Sequence, residues 1–179
     1  GTGVLYGKKK WLDAMPPYMG GGEMVGTVTF EKTTYAPLPM KFEAGTQNFA
    51  SAATLKPAIE VANKLNDNKL VENLDSIRDY LLDYFRKDER IRLYGVPRGT
   101  NEEKIPLFSF SVKDVHHEDL ALILDKMGIA VRSGQMCAEP LMDRFGVTGM
   151  LRVSFAPYNT LAEAEYFVKC LNKAIDMLV

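Results

Sequence analysis

The 179-residue chain contains two cysteines, Cys137 and Cys170, and two adjacent histidines, His116 and His117. So small a set of soft ligands, with the cysteines far apart in sequence, argues against a structural zinc site. Nor does it describe a disulfide framework; both thiols are expected to be reduced. No apolar run is long enough to cross a bilayer, and Gly1-Thr-Gly-Val-Leu-Tyr-Gly7 does not have the layout of a signal peptide. The expectation is a cytoplasmic protein. Charge excess of either sign is also missing. With a formal net charge of -1, the chain has no basic surplus to recruit nucleic acid or an anionic membrane. An initiator methionine is missing too, and the opening reads as cut from something longer.

What is present divides by periodicity. Residues 1 to about 48 are rich in Gly, Pro and Thr. They hold strand-like Val4-Leu5-Tyr6, the triplet Gly20-Gly21-Gly22, a β-rich run Met24 to Phe30 and the proline-marked Tyr35-Ala-Pro-Leu-Pro-Met40. From Phe49 to Leu65 an Ala- and Leu-rich helix is expected, bent near Pro57, with Asn66-Asp-Asn68 as punctuation and cap for the next. That next helix carries Leu70, Leu74, Ile77, Leu81 and Phe85 at spacings of three and four.

Strand periodicity follows at Ile91–Tyr94 and Leu107–Val112, where Phe108, Phe110 and Val112 alternate with Leu107, Ser109 and Ser111. His116-His117 begin a helix with Glu118 and Asp119 in its first turn and Gly128 just past its end, the histidines projecting in different directions. Strands at Ile129–Arg132 and Leu151–Phe155 are expected to flank a long loop. Thr160-Leu-Ala-Glu163 has the spacing of a capping box, and Phe167, Cys170, Leu171, Ala174 and Ile175 form the buried stripe of the last helix. The expected class is α+β, with helices on one face of a mainly antiparallel sheet.

Cys170 therefore reads as a small core hydrophobe. Cys137 differs, because it sits between Gly134 and Pro140, residues that interrupt regular structure. Local context leaves two readings open, a reactive thiol and an idle loop thiol. Alternation adds Arg132 and Arg152 opposite the apolar faces of their strands. There they either serve as a carboxylate fork near the thiol or stand as solvated surface charges. Gly45-Thr46-Gln-Asn48 reads as a turn feeding a helix, a weak signal for a phosphate site beside the plainer reading of a capped loop.

Seven segments in one order carry a resemblance: Gly3-Val-Leu-Tyr-Gly7, Met15-Pro-Pro-Tyr18, Gly20-Gly-Gly-Glu-Met24, Lys41-Phe-Glu-Ala-Gly-Thr46, Gly128-Ile-Ala-Val-Arg132, Cys137-Ala-Glu-Pro-Leu-Met142 and Arg152-Val-Ser-Phe-Ala-Pro-Tyr-Asn159. Together they resemble the C-terminal portion of class V, fold-type I pyridoxal-phosphate enzymes, above all the Suf-type cysteine desulfurases and selenocysteine lyases.

The resemblance implies an α/β transferase-type architecture. Residues 1–66 would be the tail of the large cofactor-binding domain, with a dimer-facing hairpin at Gly20 to Met24, and residues 67–179 the small domain that bears the nucleophile. It implies that Cys137 attacks the sulfur of cysteine to leave alanine and an enzyme persulfide, with selenocysteine as the alternative substrate, that Arg152 holds the substrate carboxylate, and that Arg132 is a further active-site arginine. Thr46, with Gly45, would reach the phosphate of pyridoxal 5'-phosphate in the partner subunit of a homodimer. A sulfur-acceptor protein of iron-sulfur cluster assembly would be the partner; no metal, nucleic acid or membrane is implied.

Gln135 and Met136 stand where many relatives carry histidine, and Met19 where an acidic or amide residue is common. The Schiff-base lysine of the family would lie before Gly1. Lys8, Lys9 and Lys10, read as a solvated turn, are poor substitutes for it. The expectation is a fragment, inactive alone. The competing readings are another class V enzyme with a different substrate and a non-catalytic module for binding or dimerisation.

Overall fold

A computed structural model describes residues 2–65, 68–95 and 104–179. Its contacts divide the chain into two compact units, Gly1–Val61 and Ala62–Val179.

The first unit holds helix α1 (Lys9–Ala14), the antiparallel hairpin β1 (Val25–Val28) and β2 (Thr33–Tyr35), a single 3-10 turn at Met40–Phe42, helix α2 (Phe49–Ala53) and most of helix α3 (Leu55–Leu65). Its one fully buried apolar side chain among the described residues is Met24, while Tyr6, Tyr18 and Phe30 are almost wholly in water. Lys41 donates to the carbonyls of Leu12 and Asp13 at 3.1 and 2.8 Å, tying the 3-10 turn to the end of α1.

Three expectations change here. Val4-Leu5-Tyr6 is not in a strand, since an extended segment becomes one only by pairing. Lys9 and Lys10 form the first turn of α1 rather than a loop turn. The helix over residues 49–65 breaks at Thr54, not at Pro57. The cause is still Pro57: its ring clashes with the carbonyl four residues back, that of Ala53, where α2 stops. The capping expected of Asn66-Asp67-Asn68 rests on side chains outside the described residues.

The second unit contains helix α4 (Asn68–Lys87), strands β3 (Ile91–Tyr94) and β4 (Leu107–Val112), helix α5 (His117–Lys126), strand β5 (Arg132–Gly134), helix α6 (Glu139–Phe145), strand β6 (Met150–Ser154) and helix α7 (Leu161–Asp176). The strands form one antiparallel sheet in the order β3-β4-β6-β5. Alternation sends Phe108, Phe110, Leu151 and Val153 to one face, where they join Ile77, Leu81, Leu120, Leu124, Phe167 and Leu171 of α4, α5 and α7 in the main core. Burying one such aromatic or leucine contributes about 1.5–3 kcal/mol.

Ends are set locally. Thr160 and Glu163 close the reciprocal capping box at the start of α7, and His116 caps α5 by accepting from the Glu118 N–H at 3.4 Å. Gly128, at φ +78°, takes the left-handed position after α5. Arg90 clamps the far ends of α4 and α7, donating to Asp88 through Nε and Nη2 at 2.9 and 2.7 Å and to Asp176 and Asn172 at 2.9 and 2.6 Å.

The opposite sheet face has its own smaller cluster of Tyr94, Met142 and Met150, with Phe145 and Val147 packed against it. Its cover is α6, which occupies what reads as loop in the sequence. Pro140 does not interrupt structure there; it sits in the first turn of α6, where its missing N–H has no helical partner to lose. Gly146, at φ +69°, ends the helix.

Candidate functional site

Arg132 and Arg152 are register partners on β5 and β6, so both side chains leave the sheet on the face that carries Met150 and α6. The register differs from expectation. Strand β5 begins at Arg132, and Ile129 to Val131 lie outside it. The parity that sets the two arginines opposite their apolar neighbours is unchanged. Arg152 also faces Ser109 of β4 on its other side. Like charges opposed across a ladder are unfavourable by some tenths of a kcal/mol. The Nε of Arg152 is buried and has no hydrogen-bond partner among the described residues, a donor whose desolvation costs about 1–3 kcal/mol until an acceptor arrives. A carboxylate is the natural acceptor for such a fork.

Cys137 stands beside the first of this pair, Arg132. Its thiol is free and exposed, and Arg132 Nη2 lies 3.5 Å from its Sγ. The backbone that delivers it is unusual: Gly134 is at φ +103°, and the non-glycine residues Met136 and Cys137 follow at +58° and +59°. Each left-handed L-residue costs about 1–2 kcal/mol. Bonds on either side hold the loop. Ala138 N–H donates to Gln135 O at 3.0 Å, and Gln135 Nε2 donates to Glu139 Oε1 at 3.1 Å. Met136 is half-buried in the wall of a pocket of about 330 Å³ that α6 and the sheet also line.

Gly45 and Thr46 belong to the first unit. Gly45, at φ +76°, donates its N–H to Gly22 O at 2.9 Å, and Thr46 is exposed. The glycine triplet is thus a packing element and not only a flexible turn. A Cβ on Gly21 would come within 3.2 Å of the Gly45 nitrogen. Helix α2 beyond them is capped by Asn48, which accepts from Ser51 N–H at 3.1 Å.

A second polar feature lies elsewhere on the second unit. The rings of His116 and His117 stack, with centroids 4.4 Å apart, rather than diverging as their adjacency suggests. Burial first, and the neighbouring His116 second, hold the His117 imidazole below its ordinary pKa. Its Nδ1 is buried without a partner among the described residues in a pocket of about 300 Å³, and its ring lies directly over Gly149. Sequence patterning missed this packing, because it depends on which glycine the fold sets beneath the ring.

A family model described as aminotransferase class-V matches residues 1–167. A probable cysteine desulfurase of Vibrio cholerae is 43% identical over 99% of this chain, which covers 43% of that protein. The crystal structure of the Escherichia coli cysteine desulfurase CsdA in an S-sulfonic acid form superposes with a TM-score of 0.82 at 37% identity, over 97% of this chain and 42% of that one. An apo cysteine desulfurase from Thermococcus onnurineus superposes with a TM-score of 0.81 at 30% identity, over 97% and 42%. The chain spans about two fifths of the length of the curated relatives it matches.

Proposed function

The chain belongs to the class-V aminotransferase family, and on that premise we propose that it is the nucleophile-bearing part of a pyridoxal-phosphate-dependent cysteine desulfurase. The observation that carries this reading is the thiol of Cys137 placed 3.5 Å from Arg132, beside an Arg152 whose buried Nε awaits an acceptor. Arg152 binds the substrate α-carboxylate. Arg132, opposite Arg152 in the ladder and 3.5 Å from the thiol, sets positive charge beside the reacting sulfur. Cys137 attacks the sulfur of cysteine. The new S–S bond forms as the substrate's C–S bond breaks, the carbon retains the bonding pair and gains a proton, and the products are alanine and a persulfide on Cys137.

Exposed Thr46 and left-handed Gly45 fit the rim of a phosphate site, and they would hold that end of pyridoxal phosphate across the interface of a homodimer. The cofactor, when bound, supplies the electron sink. On this reading residues 1–66 belong to the large domain, which accords with a first unit that leaves most of its apolar side chains in water. Residues 67–179 form the small domain. Exposure of Cys137 suits delivery of sulfur to an acceptor protein in iron-sulfur cluster assembly, in the cytoplasm. Among the described residues, no helix is long and apolar enough to cross a membrane.

The test is to incubate the full-length parent enzyme with cysteine, and separately with selenocysteine, measuring alanine and the mass of the Cys137 peptide. Alanine from cysteine with a persulfide on Cys137, lost in Cys137→Ser, is the expected result. Alanine from selenocysteine alone would move the assignment to a lyase of that substrate. Alanine from neither would overturn the proposal.

A further inference from the structure

Two successive left-handed residues need something to hold them, and at Met136-Cys137 the backbone offers no glycine. Hydrogen bonds fix Gln135 and Ala138 on either side of the pair. Besides the contact of Cys137 Sγ with Arg132, the pair is tied to the folded body by the Met136 side chain, half-buried in the wall of the apolar pocket with Leu141, Met142, Phe145 and Met150. We propose that Met136 is a positioning residue for Cys137: its seat between α6 and the sheet keeps Cys137 left-handed and so places Sγ within reach of Arg132.

The physical logic runs through one bond vector. If the methionine leaves its seat, both residues relax toward the extended or right-handed regions that L-residues prefer, and the Cα–Cβ bond of Cys137 swings away from β5. A thioether chain suits this job because it is unbranched and adapts to an irregular pocket. The catalytic consequence rests on the reading of Cys137 as the nucleophile. The geometry does not, and it is testable without cofactor or substrate.

Alkylation of Cys137 in the full chain, resolved by peptide mass, would be timed with anionic iodoacetate and with neutral iodoacetamide. Arg132 attracts the anion, so the ratio of the two rates reports how close the thiol stays to the guanidinium. A change in loop accessibility moves both rates together and leaves the ratio alone. Buried Cys170 serves as the internal control for folding.

Arg132→Gln should lower the ratio about threefold, the weight of one water-screened charge roughly 6 Å away. Met136→Asn and Met136→Gly both tolerate the left-handed backbone but cannot fill an apolar seat, and each should lower the ratio as far. Met136→Leu should keep it. A wild-type ratio in the Asn or Gly variant would mean that backbone preference alone holds the thiol, and would overturn the proposal. So would a Leu variant that falls with them, or an Arg132→Gln variant with no effect. Failure of the desulfurase reading would appear separately, as absent alanine in the full-length enzyme.

Discussion

Arg132 and Arg152 face each other across the β5–β6 ladder. Two positive charges set side by side, one with a buried donor that has no partner among the described residues, gain most from an anion between them. On the proposed desulfurase reading, Arg152→Gln in the full-length protein is expected to lower kcat/KM for cysteine about 10- to 100-fold, the loss of a charge-assisted hydrogen bond worth roughly 1.5–3 kcal/mol. Urea unfolding of the same variant should show stability unchanged or slightly raised, since a like-charge pair is relieved. A stability loss as large as the activity loss would point instead to a structural arginine.

Acid should weaken the clamp between α4 and α7. Hydrogen bonds from the Arg90 guanidinium hold the Asp88 carboxyl below its ordinary value of 3.8, against the opposing pull of burial. The folded-state pKa is depressed, so the stabilisation is complete above the unfolded value and fades as pH falls through the folded one. Urea midpoints measured from neutral pH downward should drop in this acid window. Asp88→Asn should flatten that drop and cost about 1 kcal/mol at neutral pH.

Much of the second unit is legible in the chain because its signals are local. The alternation of Phe108, Phe110 and Val112 with serines names the buried face of β4, and Thr160 with Glu163 names the start of α7. What misleads is what needs a partner. Ile129 to Val131 and Val4 to Tyr6 look like strands by composition, but a strand exists only where another backbone pairs with it. Helix α6 is hidden by reading Pro140 alone; together with Gly146 six residues on, it marks a start and a stop. At the site, parity puts Arg132 and Arg152 on one face, while their direct opposition and the 3.5 Å approach to Cys137 come only from register and loop conformation. No pattern in the chain gives Met136 a role, since one half-buried methionine leaves no periodic trace.

The capping box gives a prediction that separates cap from core. Thr160→Ala removes the hydroxyl that accepts from Glu163 N–H at 3.3 Å, and a lost N-cap costs about 1 kcal/mol. Phe108→Ala, in the main core, should cost about 3–5 kcal/mol by urea unfolding. Equal effects would mean that α7 depends on its first turn more than on its packed face.

Gly149 and His117 provide the sharpest check on packing. Any Cβ at position 149 would collide with the His117 imidazole, which is held over the glycine by its stack on His116 and by the pocket around it. The φ of Gly149 is not left-handed, so an alanine there meets a steric problem and not a backbone one. Gly149→Ala is expected to cost about 1–3 kcal/mol, the usual penalty for an extra methyl in a filled space. In a His117→Ala background the same substitution should cost much less, because the atoms it strikes are gone. A double-mutant cycle by urea unfolding reads the difference directly. Additive effects would show that the strain at 149 comes from elsewhere, whereas a strong coupling would establish the ring-over-glycine contact as a fixed part of the second unit.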